Sequence, residues 1–202
     1  MKAKYFSLLG IVIFLTTFSK VKAQASTEKE NARVFVQKFY DWYNKLYNTD
    51  LNDYKHKYSE GLITYVFKNK QQYFDQSLLN PYNDYDKAEP KDADEIVGLD
   101  FDPIMNAQDN GEDYQTGSVK QMGDKYFINI HAGMAGHSRI SILKERVIIT
   151  AEVVKENDLW KFVNFQYPPV NGRKNDLITT LINCKKEAEK YTATHQAKTH
   201  KS

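Results

Sequence analysis

From Ala32 onward, apolar residues recur every three or four positions, at Phe35, Val36, Phe39, Tyr40, Tyr43 and Leu46. That is the helical period, and it predicts an amphipathic helix over 28–47. Ser26 or Thr27 is its expected cap, with Glu30 three residues after Thr27. A second stretch with the same period runs from 59 to 74, where Leu62, Ile63, Val66, Phe67 and Tyr73 can share a face. Beyond 115 the period becomes two, and segments 115–121, 125–133, 138–155 and 159–167 are rich in β-branched and aromatic residues. They are separated by Met122-Gly123-Asp124, Met134-Ala135-Gly136 and Glu156-Asn157-Asp158, so they read as an antiparallel meander of about four main strands, ended by Pro168 and Pro169. A last helix, capped by Asn175 or Asp176, carries Leu177, Ile178, Leu181, Ile182 and Cys184 on one face. Helices followed by a run of strands define an α+β domain, with the sheet packed on N-terminal helices and a C-terminal helix after it. Phe35 and Phe39 on the first helix are expected to pack against Trp160 and Phe162 on the last strand.

Between the two regimes lies a segment of different character. Residues 80–113 hold eleven acids against Lys87 and Lys91, a net of −9, and contain Pro81, Pro90 and Pro103. The prolines argue against a continuous helix, so the segment is expected to be a long, irregular, acidic connection. Its apolar insert (Ile96, Val97, Leu99, Phe101, Ile104, Met105) should anchor it against the open end of the sheet.

The N-terminus changes the charge picture. Lys2 and Lys4 precede an uncharged apolar run from Tyr5 to Phe18, followed by the small-residue sites Val21-x-Ala23 and Ala23-x-Ala25. This is the pattern of a secretory signal peptide over 1–25, cleaved before Gln24 or Ser26. The run is shorter than the ~20 residues a membrane span needs. The chain is therefore expected to be exported, periplasmic or secreted, with a single domain over 26–192, a disordered tail over 193–202 and no stable membrane insertion after cleavage. The 202-residue chain carries +2, but residues 1–25 hold four lysines and no acid, so the mature chain carries −2. That is too neutral for a nucleic-acid binder. With 41% hydrophobic residues, including 14 Tyr and 11 Phe, a true core is available. The lone Cys184 rules out an intramolecular disulfide and a Cys-based zinc site, and is read as a buried helix residue.

Three motifs carry a family resemblance: Ala32-Arg33-x-Phe35-Val36-x-x-Phe39-Tyr40-x-Trp42-Tyr43, then Gly98-Leu99-Asp100-Phe101-Asp102-Pro103-Ile104 with Ala107-Gln108-Asp109, and Trp160-Lys161-Phe162-Val163-Asn164-Phe165-x-Tyr167-Pro168. Together they resemble the exported bacterial domain-of-unknown-function 3828 family, over about residues 30–185. That family is similar to the nuclear-transport-factor-2-like superfamily. The resemblance implies a curved antiparallel sheet wrapped around helices into a cone with an open pocket. The superfamily includes isomerases, dehydratases and pure binding modules, so the fold alone does not decide function.

The candidate site is the ligand-binding set Tyr40, Tyr43, Asp100, Asp102, Gln108, Asp109, Trp160 and Tyr167. If the segment is extended, Asp100 and Asp102 share one face and point to the cone mouth or solvent. Oxygen ligands so crowded suit Ca²⁺, but the spacing of a calcium loop is missing, and capping of the irregular backbone by these acids is the simpler reading. No metal or cofactor is called for. Tyr40 and Tyr43 on the apolar helix face serve as core, with one hydroxyl available to a ligand. Gly136-His137-Ser138-Arg139-Ile140 resembles a nucleophile elbow, but Ile140 replaces the last Gly and the motif is placed in a hairpin with no helix after it. His131 and His137 flank that hairpin, and His195 and His200 fall in the tail. No catalytic residue is assigned. The expected function is a non-catalytic exported binding module, taking a small ligand or peptide in a cone-shaped pocket. The alternatives, in order, are a protein–protein or inhibitor-type module using the acidic 80–113 segment, and a small lyase, isomerase or hydrolase.

Overall fold

A computed structural model describes residues 6–47, 61–90, 97–108, 112–134 and 136–199. The first helix, α1, spans Phe6–Tyr47, starting well before the expected residue 28. From Ile11 to Tyr47 there is no Gly or Pro, so nothing in the chain interrupts the helix where Ser26 and Thr27 were expected to open it. Ala32, Val36, Phe39, Tyr40 and Tyr43 form its buried stripe. Among the described residues, no helix is long and apolar enough to cross a membrane.

Helix α2 (Leu62–Asn69) and a 3₁₀ turn over Gln71–Tyr73 replace the single stretch expected over 59–74; residues 59 and 60 lie outside the described residues. Helix α3 (Gln76–Ala88) is capped by Asp75, whose Oδ1 accepts the Ser77 N–H at 2.8 Å. It runs through Pro81, which corrects the expectation of an irregular connection from residue 80. Proline removes one i→i−4 bond, but Leu78, Leu79, Tyr82 and Tyr85 are all buried and hold the helix. Tyr82 stacks on Phe67 with ring centroids 4.1 Å apart, joining α3 to α2.

The sheet is a five-stranded antiparallel meander in the order β1 (Glu112–Met122), β2 (Lys125–Met134), β3 (Val147–Glu156), β4 (Leu159–Val170) and β5 (Arg173–Asp176). Two details correct the expected strands. Residues 138–155 are not one strand: a single helical turn, α4 (Arg139–Ile142), precedes β3. And β4 continues past Pro168 and Pro169 into β5, through an Asn171-Gly172 hairpin with φ of 52° and 72°. Those positive values are what a tight two-residue hairpin requires. The two prolines fall where the β4–β5 pairing shifts, between Tyr167 and Val170, so they need donate nothing to the ladder.

Asp176 caps the last helix, α5 (Leu177–Thr199), as expected: its Oδ1 accepts the Thr179 N–H at 3.0 Å. The helix continues beyond the domain boundary expected at 192. The inner face of the sheet (Ile128, Ile130, Ile149, Ala151, Val153, Phe162, Phe165) joins the α1 stripe in one core. Phe162 packs on Phe39 and Phe35 at 4.7 and 5.1 Å between centroids, and Trp160 meets Tyr126 edge-on at 5.0 Å. Cys184 is buried.

Candidate functional site

The segment after α3 closes one end of the core with a turn. Asp102 and Ala107 form an isolated bridge, Asn106 takes a φ of 52°, and Ile104 and Met105 are fully buried. Both Asp102 oxygens point back into this turn and onto α1. Its Oδ1 accepts the Ile104 and Met105 N–H groups at 2.8 and 3.0 Å, and its Oδ2 accepts the Tyr43 hydroxyl at 2.6 Å. The expected extended strand, with Asp100 and Asp102 on one outward face, is therefore corrected: the chain turns at Asp102, and a carboxylate that satisfies two turn N–H groups and a tyrosine must face inward. Burial pushes the Asp102 carboxyl above the usual carboxylate range, against the pull of those three donors.

The other inward residues serve the same end. The Tyr40 hydroxyl donates to the Ile104 carbonyl at 2.6 Å, and that of Tyr167 to the Pro103 carbonyl at 2.8 Å. Burial drives both phenols well above their ordinary range. Tyr40, Tyr43, Asp102 and Tyr167 are thus brought together, and their polar atoms hold the turn on the core. Trp160 is half-buried beside Tyr126, away from this network, and Gln108 is exposed. Asp109 lies outside the described residues.

Asp100 is the member of the predicted set that faces a cleft. A cavity of about 600 Å³ lies between Val97, Gly98 and Asp100 on one side and Glu187, Tyr191 and His195 of α5 on the other. The loop wall is pinned by Tyr85, whose hydroxyl accepts the Leu99 N–H at 3.2 Å and donates to Glu89. Gly98 has a φ of 115°, and a Cβ there would fall 2.7 Å from the Tyr85 hydroxyl, so only glycine lets the loop approach this closely. On the helix wall the Tyr191 and His195 rings stack at 3.9 Å, one turn apart. Cys184 lies beneath: burial, with the charges of Glu187 and Asp100, pushes its thiol up to about 11, so it is protonated at neutral pH. Glu187, Tyr191 and His195 were missed because this stretch reads as a polar tail, although the i,i+4 spacing of Tyr191 and His195 is the signal for a shared helix face.

The remaining candidates are spread across the fold. Ser138 is followed by the helical turn α4, contrary to the expectation that no helix follows it, and its Oγ accepts the Ser141 N–H as the cap of that turn. His131 pairs with Gln115 on β1 and lays its ring against Gly117, with Nδ1 2.7 Å from the Glu145 carbonyl oxygen. His137 is exposed. No family model, curated protein or solved structure matches the chain.

Proposed function

We propose that the chain is an exported, non-catalytic binding module whose small ligand or peptide sits in the cleft between the Val97–Asp100 loop and α5. One observation carries this reading. The polar groups expected to line an interior pocket are engaged in holding the turn at Asp102, whereas Asp100, Glu187, Lys190 and the Tyr191–His195 stack converge on an open cleft. Carboxylates and an ammonium beside a π surface can recognise a ligand that has both a polar group and a flat or aliphatic body. The resemblance to the nuclear-transport-factor-2-like superfamily belongs to the same proposal, and the order of helices, meander and final helix supports it.

The alternative, a protein-binding surface on the acidic 80–113 segment, has less support. Within that segment Asp84 pairs with Lys185, Asp86 with Lys68, and Glu89 takes the Tyr85 hydroxyl, so part of its charge is spent inside the fold. The test is a thermal-shift screen of small metabolites and peptides on the wild-type chain and on Tyr191→Ala. Ligands that raise Tm in the wild type but not in Tyr191→Ala support the cleft. Ligands whose effect is untouched by Tyr191→Ala and by Asp100→Asn would place binding elsewhere and sink the proposal.

A further inference from the structure

The connection between β2 and β3 carries the two most exposed large apolar side chains among the described residues, Met134 at 65% and Ile140 at 72%. Around them His137, Arg139, Lys144 and Arg146 are exposed. Lys125, Lys155, Lys161, Lys174 and Lys185 all pair with carboxylates, but Arg139, Lys144 and Arg146 form no ion pair among the described residues. Of the nearby acids, Asp113 accepts from the Gly136 N–H and Asn44 and keeps its charge, and Glu30 pairs with Arg33 while also feeling the charge of Arg139. Glu145, also exposed, lies between Lys144 and Arg146 in the chain.

This corner is held in a defined shape. The His137 N–H donates to the Met134 carbonyl at 3.1 Å, Ser138 caps α4, and the Glu145 carbonyl meets His131. Ile142 is buried against Gly133, where a Cβ would fall 2.9 Å from its side chain. Two residues along a helical turn is about 200° of rotation, so seating Ile142 inward turns Ile140 outward. The exposed apolar groups are therefore presented by the fold rather than left over by fraying.

We propose that this corner docks on an anionic phospholipid surface, with Met134 and Ile140 entering the headgroup region and Arg139, Lys144 and Arg146 meeting lipid phosphates. Apolar tips beside unpaired cations are the composition of an interfacial anchor. A protein partner would call for a larger patch with aromatic anchors, about 800 Å² a side; residues 134–146 contain no aromatic side chain. The contact is reversible adsorption rather than a membrane span, and it shares no residue with the proposed cleft.

The experiment uses the full chain with an environment-sensitive fluorophore at Ile140→Cys, and a control with the same label at Leu159→Cys. Leu159 is 60% exposed and opens β4 opposite Glu156 at the far end of β3, about 30 Å away by strand rise. With phosphatidylcholine vesicles containing phosphatidylglycerol, the label at 140 should shift to the blue and the label at 159 should not. Pure phosphatidylcholine should give no shift, and high salt should abolish it. Arg139→Gln should weaken partitioning about fivefold, the equivalent of about 1 kcal/mol per cation near such a surface. The combined Arg139→Glu, Lys144→Glu and Arg146→Glu variant should not bind; if it fails to fold, the salt titration of Arg139→Gln carries the test. The proposal is overturned by no shift at 140 on anionic vesicles, or by equal shifts at 140 and 159, which would mean adsorption through another part of the chain. A shift at 140 with polyglutamate but not with vesicles would also overturn it, in favour of an acidic protein.

Discussion

The hydroxyl of Tyr43 donates to Oδ2 of Asp102 across 59 residues of chain, at 2.6 Å. One carboxylate thus ties α1 to the turn that closes the core, since its other oxygen holds the Ile104 and Met105 N–H groups. Asp102→Ala leaves these donors without their acceptor and should cost roughly 1–3 kcal/mol in urea denaturation. Tyr43→Phe should cost about 1–2 kcal/mol, and the double variant less than the sum of the two. Strict additivity would mean that the bond does not couple the two elements. Added Ca²⁺ should leave the Tm of the wild type unchanged, since the Asp102 oxygens are already occupied.

Two hydrogen-bonded carboxylates should shape the pH profile in opposite senses. Burial raises the Asp102 carboxyl above its unfolded value, so its contribution is complete below the unfolded value and is lost as pH rises through the folded one. For Asp176, burial pushes up as well, but the Thr179 N–H, Asn164 and Lys174 outweigh it and the value falls. Its contribution is present above the unfolded value and is lost as pH falls through the folded one. In denaturation at a series of pH values, the deficit of Asp102→Asn relative to wild type should therefore grow from pH 7 toward pH 4. The deficit of Asp176→Asn should shrink at the acid end. A constant deficit for either variant would contradict the corresponding assignment.

Gly98 tests the wall of the cleft. Alanine there must adopt a φ of 115° and place its Cβ 2.7 Å from the Tyr85 hydroxyl. Gly98→Ala should cost about 1–3 kcal/mol. It should also speed hydrogen exchange of the Leu99 N–H, which loses its acceptor on Tyr85. Unchanged exchange would mean that the loop is held by something other than Tyr85.

Phe39 is 2% exposed, and its ring packs on Phe162 at 4.7 Å between centroids. Phe39→Ala should cost about 3–5 kcal/mol, the range for a large aromatic removed from a packed core. A loss under about 1 kcal/mol would mean that the helix and sheet faces are not joined there.

The parts of this fold that could be read from sequence are those where one local rule acts alone. The α1 stripe, the Met122-Gly123-Asp124 and Glu156-Asn157-Asp158 turns, and the Asp176 cap follow from period, turn chemistry and capping. Misreadings arose where two rules compete. Ile140 and Ile142 alternate as in a strand, but the Ser138 cap and the seat of Ile142 under Gly133 make a helical turn of them. Pro81 argues for a break, but four buried neighbours outweigh it. At the candidate site, the direction of Asp102 depends on a turn closed by partners on α1, and no local pattern encodes a partner 59 residues away.

The free edge of β1 shows how a single side chain can stand in for a strand. The Gln37 amide reaches from α1 to donate to the Tyr114 carbonyl at 3.0 Å and accept the Thr116 N–H at 2.8 Å. These are the two ladder bonds that a neighbouring strand would make. The Thr116 hydroxyl also donates to Gln37 at 2.9 Å, and Arg33 donates to Thr116 at 3.2 Å, so the cap is held from both sides. An uncapped edge is a template for pairing with another chain. Gln37→Leu keeps the size of the side chain but removes both bonds, and should cost about 1–2 kcal/mol while promoting association at high protein concentration. Gln37→Glu keeps the acceptor for Thr116 but sets a carboxylate oxygen against the Tyr114 carbonyl, so its stability should fall as well. Its added charge, however, should suppress edge pairing. Light scattering across a concentration series separates the two effects: Gln37→Leu should associate and Gln37→Glu should remain monodisperse. If Gln37→Leu is as monodisperse as wild type, the edge is protected by the bulk of α1 and the amide serves stability alone.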